Sequence, residues 1–308
     1  MPIKKEVGKD DDATYIRNFL KDLPRAVPLT KVTSEHVAGS ERCIVHLGMI
    51  HPSDDAEKQM DKGEQEMRDE VKKLREKAKT NKDFQQDLKL AEAVLNFMET
   101  TRKHLHKRRS DVHKDNIRML TYLHETHDVR EVFCEGITDK SEKTVQDEVD
   151  QFLIARDARE KIALLLKSDK RSPDQEREMA THKKVLTAWE NDWETQPKHN
   201  KDMIEFYAPV TLGGKVRLRG AESRALNDRA FAMTDKERKD EKLVKKIIFD
   251  DREDFAVRRM LEHSKQKIIP ILFGAGHDFS DNVAEYNKTA KKKVSQGRSL
   301  PFGTLFPF

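Results

Sequence analysis

An α/β fold, with a central, largely parallel sheet flanked by helices and a long helical-hairpin insertion, is what this sequence predicts. The first observation is three apolar runs that each end in glycine: Cys43-Ile44-Val45-His46-Leu47 before Gly48, Val129 to Glu135 before Gly136, and Ile268 to Phe273 before Gly274. The second is that the segments between them are long and carry apolar residues at helical spacing, as crossovers between parallel strands require. The third is the absence of any internal repeat of roughly 20 to 50 residues, which excludes a solenoid.

At 308 residues the chain is long enough to bury a substantial core. Residues 1–40 are polar and contain Pro24 and Pro28, so they are expected to be irregular and to wrap the domain as an arm. Residues 41–308 are expected to form a single α/β domain with the helical hairpin inserted at about 55–127. Within the insertion Met60, Met67, Val71, Leu74 and Ala78 make one stripe, and Phe84, Leu88, Ala91, Leu95 and Met98 another. Two antiparallel helices joined near Thr80-Asn81 bury both stripes together.

The spacing predicts a further helix from about Lys143 to Lys167. Ser172-Pro173-Asp174-Gln175 combines a cap, a proline at the first helical position and a glutamine three residues after the cap, and the helix it starts must end before Pro197. Ile204 to Val210 and Lys215 to Gly220 read as a hairpin around Gly213-Gly214. Thr234 and Glu237 then cap a long helix, continuous or interrupted, reaching about His263.

Charged residues are 38% of the chain, with 60 Lys+Arg against 56 Asp+Glu, so the +4 net charge is a small surplus on a mixed surface. That balance predicts solvated helices with ion pairs four residues apart and no nucleic-acid partner. No apolar run reaches the roughly 18 residues a bilayer demands, and Met1-Pro2-Ile3-Lys4-Lys5 is not followed by an apolar stretch, so no membrane partner and a cytoplasmic location are expected. Cys43 and Cys134 lie in apolar runs, where a buried, reduced thiol is the ordinary state.

Chemistry concentrates where the three strands end. Gly48-Met49-Ile50-His51 and Gly274-Ala275-Gly276-His277 each put a histidine just past a strand, and Glu135 stands at the end of the strand between them in sequence. Ligands of open parallel sheets bind outside the carboxyl ends of the strands. Two imidazoles and a carboxylate there serve either as ligands of a divalent cation or as acid–base groups without metal. Gly48, Gly274 and Gly276 are expected to allow tight turns. Glu222, two residues beyond Gly220, belongs either to the same rim or, the preferred reading, to the first turn of the next helix. The histidines from His104 to His127, the pair Trp189 and Trp193, and the Lys288–Lys293 cluster read as helix faces and packing. The aromatic tail Leu300 to Phe308 is expected to dock on its own domain.

Together Gly48-Met49-Ile50-His51-Pro52, Phe133-Cys134-Glu135, Asp251-Arg252-Glu253 and Ile271-Leu272-Phe273-Gly274-Ala275-Gly276-His277, with Asn282 shortly after, make the chain resemble a known superfamily. It contains the TraB/PrgY pheromone-shutdown proteins, the Tiki metalloproteases, GumN-like proteins and, more distantly, the ChaN and erythromycin-esterase proteins. The resemblance spans about Cys43 to Val283, loosely in the insertion and the middle third. It implies one pocket lined by His51, Glu135, Arg252 and His277, with His51, Glu135 and His277 as metal ligands and Arg252 stabilising negative charge. It further implies a manganese- or cobalt-dependent peptidase in the Tiki branch and metal-free chemistry in the esterase branch. From the residues themselves, Arg252 is equally well a surface ion-pair partner of Asp251 or Glu253. The expected function is a hydrolase of an amide or ester bond in a peptide or small-molecule substrate. The rival is a non-catalytic binding or sequestering protein, with the hairpin free to join copies into a homo-oligomer.

Overall fold

In the computed structural model, which describes residues 12–26, 30–50, 54–168 and 170–301, six strands form one sheet. They are β1 (Thr30–Glu35), β2 (Ser40–Met49), β3 (Glu131–Thr138), β4 (Arg217–Glu222), β5 (Ile268–Gly274) and β6 (Lys293–Pro301), in the order β1-β6-β2-β5-β3-β4. β3 runs parallel to both β4 and β5, β2 runs parallel to β6, and β1 closes its edge antiparallel to β6. The three apolar runs therefore become three strands of one sheet, although only β5 stops at its glycine: β2 and β3 run past Gly48 and Gly136 to Met49 and Thr138. β2 lies beside β5, and β5 beside β3.

The helices are α1 (Asp12–Ala26), α2 (Asp54–Thr80), α3 (Gln85–His127), α4 (Glu142–Leu165), α5 (Pro173–Thr195), α6 (Lys198–Tyr207), α7 (Arg224–Phe231), α8 (Glu241–Val244), α9 (Asp251–His263) and α10 (Ser280–Thr289). None of them is long and apolar enough to cross a membrane. The chain divides into two compact units, one of Met1–Gly48 with Asn116–Phe308 and the other Met49–Asp115.

In the first unit β5 is buried almost throughout, and Ile269, Ile271 and Phe273 pack with Phe133 of β3 and with Ala256, Val257 and Met260 of α9. A strand covered on both faces has no need of polar alternation, which is why Ile268 to Phe273 reads as a continuous apolar run. Full burial of each such side chain is worth roughly 1.5–3 kcal/mol. Cys43 and Cys134 are buried free thiols.

The second unit is the hairpin. Val71, Leu74 and Ala91 form its buried centre, with Met67, Phe84, Leu88 and Leu95 around them. Asn81 caps the short turn between α2 and α3, accepting the Asp83 N–H.

Three expectations are corrected. Residues 12–26 are helical, because Ile16, Phe19, Leu20 and Leu23 make a buried helical stripe that outweighs Pro24 near the helix end, and residues 30–35 form β1. So the described part of the amino-terminal segment belongs to the fold rather than wrapping it irregularly. Pro28 and the tail residues 302–308 lie outside the described residues.

The expected hairpin around Gly213-Gly214 is not one, since its first arm is α6. Ile204 and Tyr207, three apart, bury together, and Pro209 opens a separate turn behind the helix. Thr234 and Glu237 do exchange capping bonds, the Thr234 N–H to Glu237 Oε2 at 2.8 Å and the Glu237 N–H to Thr234 Oγ1 at 3.3 Å. They head a single turn of their own; the helical run that reaches His263 starts at α8, capped by Asp240, and is interrupted, as the sequence allows, by a π-helical stretch, Lys245–Asp250, before α9. By contrast, Ser172 and Gln175 form the expected reciprocal capping box of α5.

Candidate functional site at the ends of the strands

Three strands contribute a polar group at or near their carboxyl ends: β3, β4 and β5. β3 delivers Glu135, followed by Gly136 in the left-handed region at φ +80°, a conformation that favours glycine. That backbone turn aims the Gly136 N–H at Glu222 Oε2, 2.7 Å away. Glu222 is the last residue of β4, 3% exposed, so it is a rim carboxylate and not part of the following helix. Asn227 Nδ2 donates to the same oxygen at 3.0 Å. β4 can carry Glu222 there because Gly220 has no side chain: a Cβ would lie 2.6 Å from the Thr138 carbonyl oxygen. Gly48, Gly274 and Gly276, in contrast, are not among the residues with positive φ, so the conformational demand falls on Gly136.

Arg252, in the first turn of α9, joins the two carboxylates. Its Nη2 donates to Glu135 Oε1 at 3.0 Å, its Nε donates to Glu222 Oε1 at 3.0 Å, and Nη2 also bonds Glu222. Neither Asp251 nor Glu253 is its partner. Glu135 Oε2 accepts the Gly274 N–H at 2.6 Å, tying the end of β5 to the end of β3, and the Tyr207 hydroxyl donates to the Glu135 carbonyl oxygen. Burial pulls the Arg252 pKa down, and the charges of Glu222 and Glu135 outweigh it and leave the group above its ordinary value. Burial raises the Tyr207 phenol well above its usual range, with the Cys134, Glu135 and Glu222 charges adding to the effect.

His277 sits in the turn after β5, 6% exposed. Its Nδ1 lies 2.8 Å from Glu253 Oε1, which also accepts the Asp278 N–H at 3.2 Å. A carboxylate bonded to Nδ1 holds the proton on that nitrogen and leaves the Nε2 lone pair facing the other way. There it stands 3.9 Å from Glu135 Oε1. Phe273 meets the imidazole edge-on at 4.6 Å between ring centres, and Phe249 lies 5.0 Å away. A cleft of about 530 Å³ reaches Glu253 but not His277 or Glu135, and is lined besides by Phe249, Gly276 and Asn282 and by the acidic side chains of Asp250, Asp254, Asp278, Asp281 and Glu285; Lys245 is its one cation among the described residues.

The turn that carries His277 is held from behind. Arg298 of β6 donates to the carbonyl oxygens of Ala275 and His277, and His46 of β2 donates from Nε2 to the Phe273 carbonyl at 3.1 Å. Burial, helped by the Arg298 charge, lowers the His46 pKa to about 4. Its Nδ1 is buried and has no hydrogen-bond partner among the described residues.

Of the four residues expected to share a pocket, Glu135, Arg252 and His277 come together, and His51 lies outside the described residues. Glu222 joins them. Sequence reasoning misses Glu253 as a site residue, reading it only as a surface partner for Arg252, and it assigns Tyr207 to a strand. The signal for Glu253 is its position next to Arg252 at the start of a helix, where consecutive side chains diverge by about 100° and reach different neighbours.

As to metal, His277 Nε2 and Glu135 Oε1 are suitable donors and face each other, but Glu135 Oε1 already accepts from Arg252. Among the described residues no group of three or more His, Cys, Asp or Glu side chains is placed to hold an ion.

No family model, curated protein or solved structure matches this chain.

Proposed function

We propose that the chain is a hydrolase of an amide or ester bond, acting on a peptide or a small molecule at the strand-end site. The observation that carries this reading is the orientation of His277. A buried carboxylate, Glu253, holds Nδ1 at 2.8 Å, so Nε2 is the basic nitrogen, aimed at the charged cluster. An imidazole oriented in this way takes a proton from water or a hydroxyl as bond formation begins and returns it to the leaving group. Glu253 stabilises the imidazolium formed in between. Arg252 supplies fixed positive charge 14% exposed to solvent, where a developing oxyanion is stabilised more strongly than in water. Four of its N–H groups serve Glu135, Glu222 and the Ile248 carbonyl, leaving one Nη1 hydrogen for the substrate among the described residues.

A divalent ion, manganese or cobalt by the resemblance, would draw on His277 Nε2 and Glu135, with His51 as third donor, and would supply an activated water. With such an ion Nε2 would be a ligand rather than a base, Glu253 would orient it through Nδ1, and the part of Arg252 would be unchanged.

The second reading, a binding or sequestering protein, is favoured by one observation: the oxygens of Glu135 and Glu222 accept hydrogen bonds from within the fold, as in a purely structural ion network. The test is a panel of chromogenic esters and fluorogenic peptides, assayed with chelator and with added Mn²⁺ or Co²⁺. Hydrolysis by the wild type is expected to fall at least about 100-fold in His277→Gln, while Glu253→Gln lowers kcat with KM little changed. Wild-type turnover equal to that of His277→Gln in every condition leaves the binding reading.

A further inference from the structure

Six carboxylates line the cleft that reaches Glu253: Asp250, Glu253, Asp254, Asp278, Asp281 and Glu285. Three have cations of their own, with Lys245 3.5 Å from Asp250, Arg298 3.2 Å from Asp278, and Lys288 on Glu285. Asp254 is met only by Asn282 Nδ2, at 2.9 Å, and Asp281 by no side chain among the described residues. Glu253 is the buried member, its side chain 7% exposed. Its Oε1 holds His277 Nδ1 and the Asp278 N–H, whereas its Oε2 accepts nothing among the described residues. A buried carboxylate oxygen is costly without a donor, and Glu253 stands in the cleft wall, so the donor has its way in from there.

The amino terminus of α10 favours acids on its own account at Asp278 and Asp281. No such reason applies to Asp250, Glu253 and Asp254, because the helical run through them opens further back, at α8. Beside them Phe249 gives the cleft an aromatic wall, and an ammonium or guanidinium group is drawn to such a face as well as to carboxylates. An inorganic ion needs its ligands gathered within about 2.0–2.6 Å of one point. Among the described residues no three of these acids are placed to hold one. The cleft, at about 530 Å³, has instead the size that holds a small organic molecule, roughly 300–1,000 Å³.

We propose that this cleft binds an organic cation with two or more positive groups, an aliphatic polyamine or successive basic side chains of a peptide. One nitrogen donates to Glu253 Oε2, and the others meet Asp254 and Asp281. Such binding needs no reaction at His277, so it is open to a hydrolase and to a sequestering protein alike. Every acid of the cleft except Glu253 is at least partly in solvent, so the complex weakens as salt rises.

The experiment is isothermal titration calorimetry of the full chain at about 50 mM salt with two probes of equal charge, spermine and a tetralysine capped at both ends. Saturable binding of at least one is expected with a Kd below about 1 mM, and the tighter of the two identifies the source of the cation. D254N/D281N is expected to weaken it at least about tenfold with an unchanged circular-dichroism spectrum. E66Q/E70Q removes the same charge from the exposed surface of the hairpin and should change it less than about twofold. In the wild type the bound probe should move the backbone amide signals of Gly276, Asp281 and Glu285 in a nitrogen-correlated NMR spectrum, which locates it without any substitution. No saturable binding of either probe up to about 5 mM overturns the proposal. Equal weakening by the two double variants also overturns it, because net charge alone would then attract the probe, and so does binding that leaves those three amides unmoved. Mg²⁺ that displaces the probe at an equal concentration would make the cleft a site for inorganic cations instead.

Discussion

Most charged pairs of the hairpin lie in water, whereas those at the strand ends lie out of it. In the hairpin most side chains pair in water: Arg75 with Glu92 at 2.8 Å, Arg68 with Glu99 at 3.0 Å, and Arg102 with Asp61, each with at least a third of the side chain exposed; the exception is Glu64, 8% exposed and held by Arg68 and Arg102. At the strand ends they pair out of it: Arg252 is 14% exposed, Glu135 15% and Glu222 2%. Exposed pairs repay little of the entropy they cost, whereas a buried pair has already lost its hydration and depends on its partners. The same residue types are therefore dispensable in an exposed pair such as Arg75 with Glu92 and mutually dependent at the strand ends. Costly burial of this kind is expected where a site needs fixed charge at a defined position.

The comparison breaks most visibly at Arg252. Arg252→Met leaves Glu135 and Glu222 buried without their cation and is expected to destabilise the first unit by about 3–5 kcal/mol. Both tryptophans, Trp189 and Trp193, belong to that unit and stack at 4.8 Å, so urea unfolding followed by tryptophan fluorescence reads it without the hairpin. Neutralising all three groups together, E135Q/E222Q/R252M, is expected to recover most of the loss, because no charge is left unpaired. A single substitution costing less than about 1 kcal/mol would place this network with the surface pairs.

His46 sharpens the contrast from the side of pH. Its pKa is lowered to about 4 in the fold, against about 6.5 in the unfolded chain, so the folded state resists the proton that the unfolded state accepts. The unfolded form binds more protons between those values, and stability contributed by neutral His46 is complete above about pH 6.5 and drains away as pH falls toward 4. The full difference is roughly 3 kcal/mol. Urea midpoints of the wild type should fall across that window more steeply than those of His46→Asn, which keeps a donor near the Phe273 carbonyl and does not titrate. Parallel slopes would show that His46 is protonated as easily in the fold as outside it.

How much of this is legible in the sequence differs by element. The strands of the site are readable because burial on both faces makes them continuous apolar runs, as in Ile268 to Phe273. The hairpin is readable because its stripes keep a helical period over many turns. What fails are segments whose fate rests on contacts distant in sequence. Ile204 to Val210 has the composition of a strand, and only the burial of Tyr207, with its hydroxyl on Glu135, makes it part of a helix. Glu135, Arg252 and His277 can be named from strand ends and a family resemblance. That Arg252 spans Glu135 and Glu222 cannot, because the ring of contacts closes through residues 117 and 30 positions apart. Glu253 is hidden by its neighbour: a carboxylate beside an arginine reads as its partner, and here it serves His277 instead.

The smallest expected effect lies in the hairpin and tests the other half of the comparison. Arg75 and Glu92 face each other across α2 and α3, both more than two-fifths exposed, and nothing buried depends on either. A double-mutant cycle with Arg75→Ala and Glu92→Ala is expected to give a coupling of about 0.2–1 kcal/mol, shrinking further at high salt. Fluorescence cannot report it, since residues 49–115 contain no tryptophan, but circular dichroism at 222 nm carries the hairpin's helices. What holds the hairpin is the seam of Val71, Leu74 and Ala91, so Leu74→Ala should cost about 2–5 kcal/mol by the same readout. A coupling as large as that loss would mean that the exposed pair depends on its partner as strongly as Arg252 does at the strand ends. The distinction between the two units would then rest on something other than exposure.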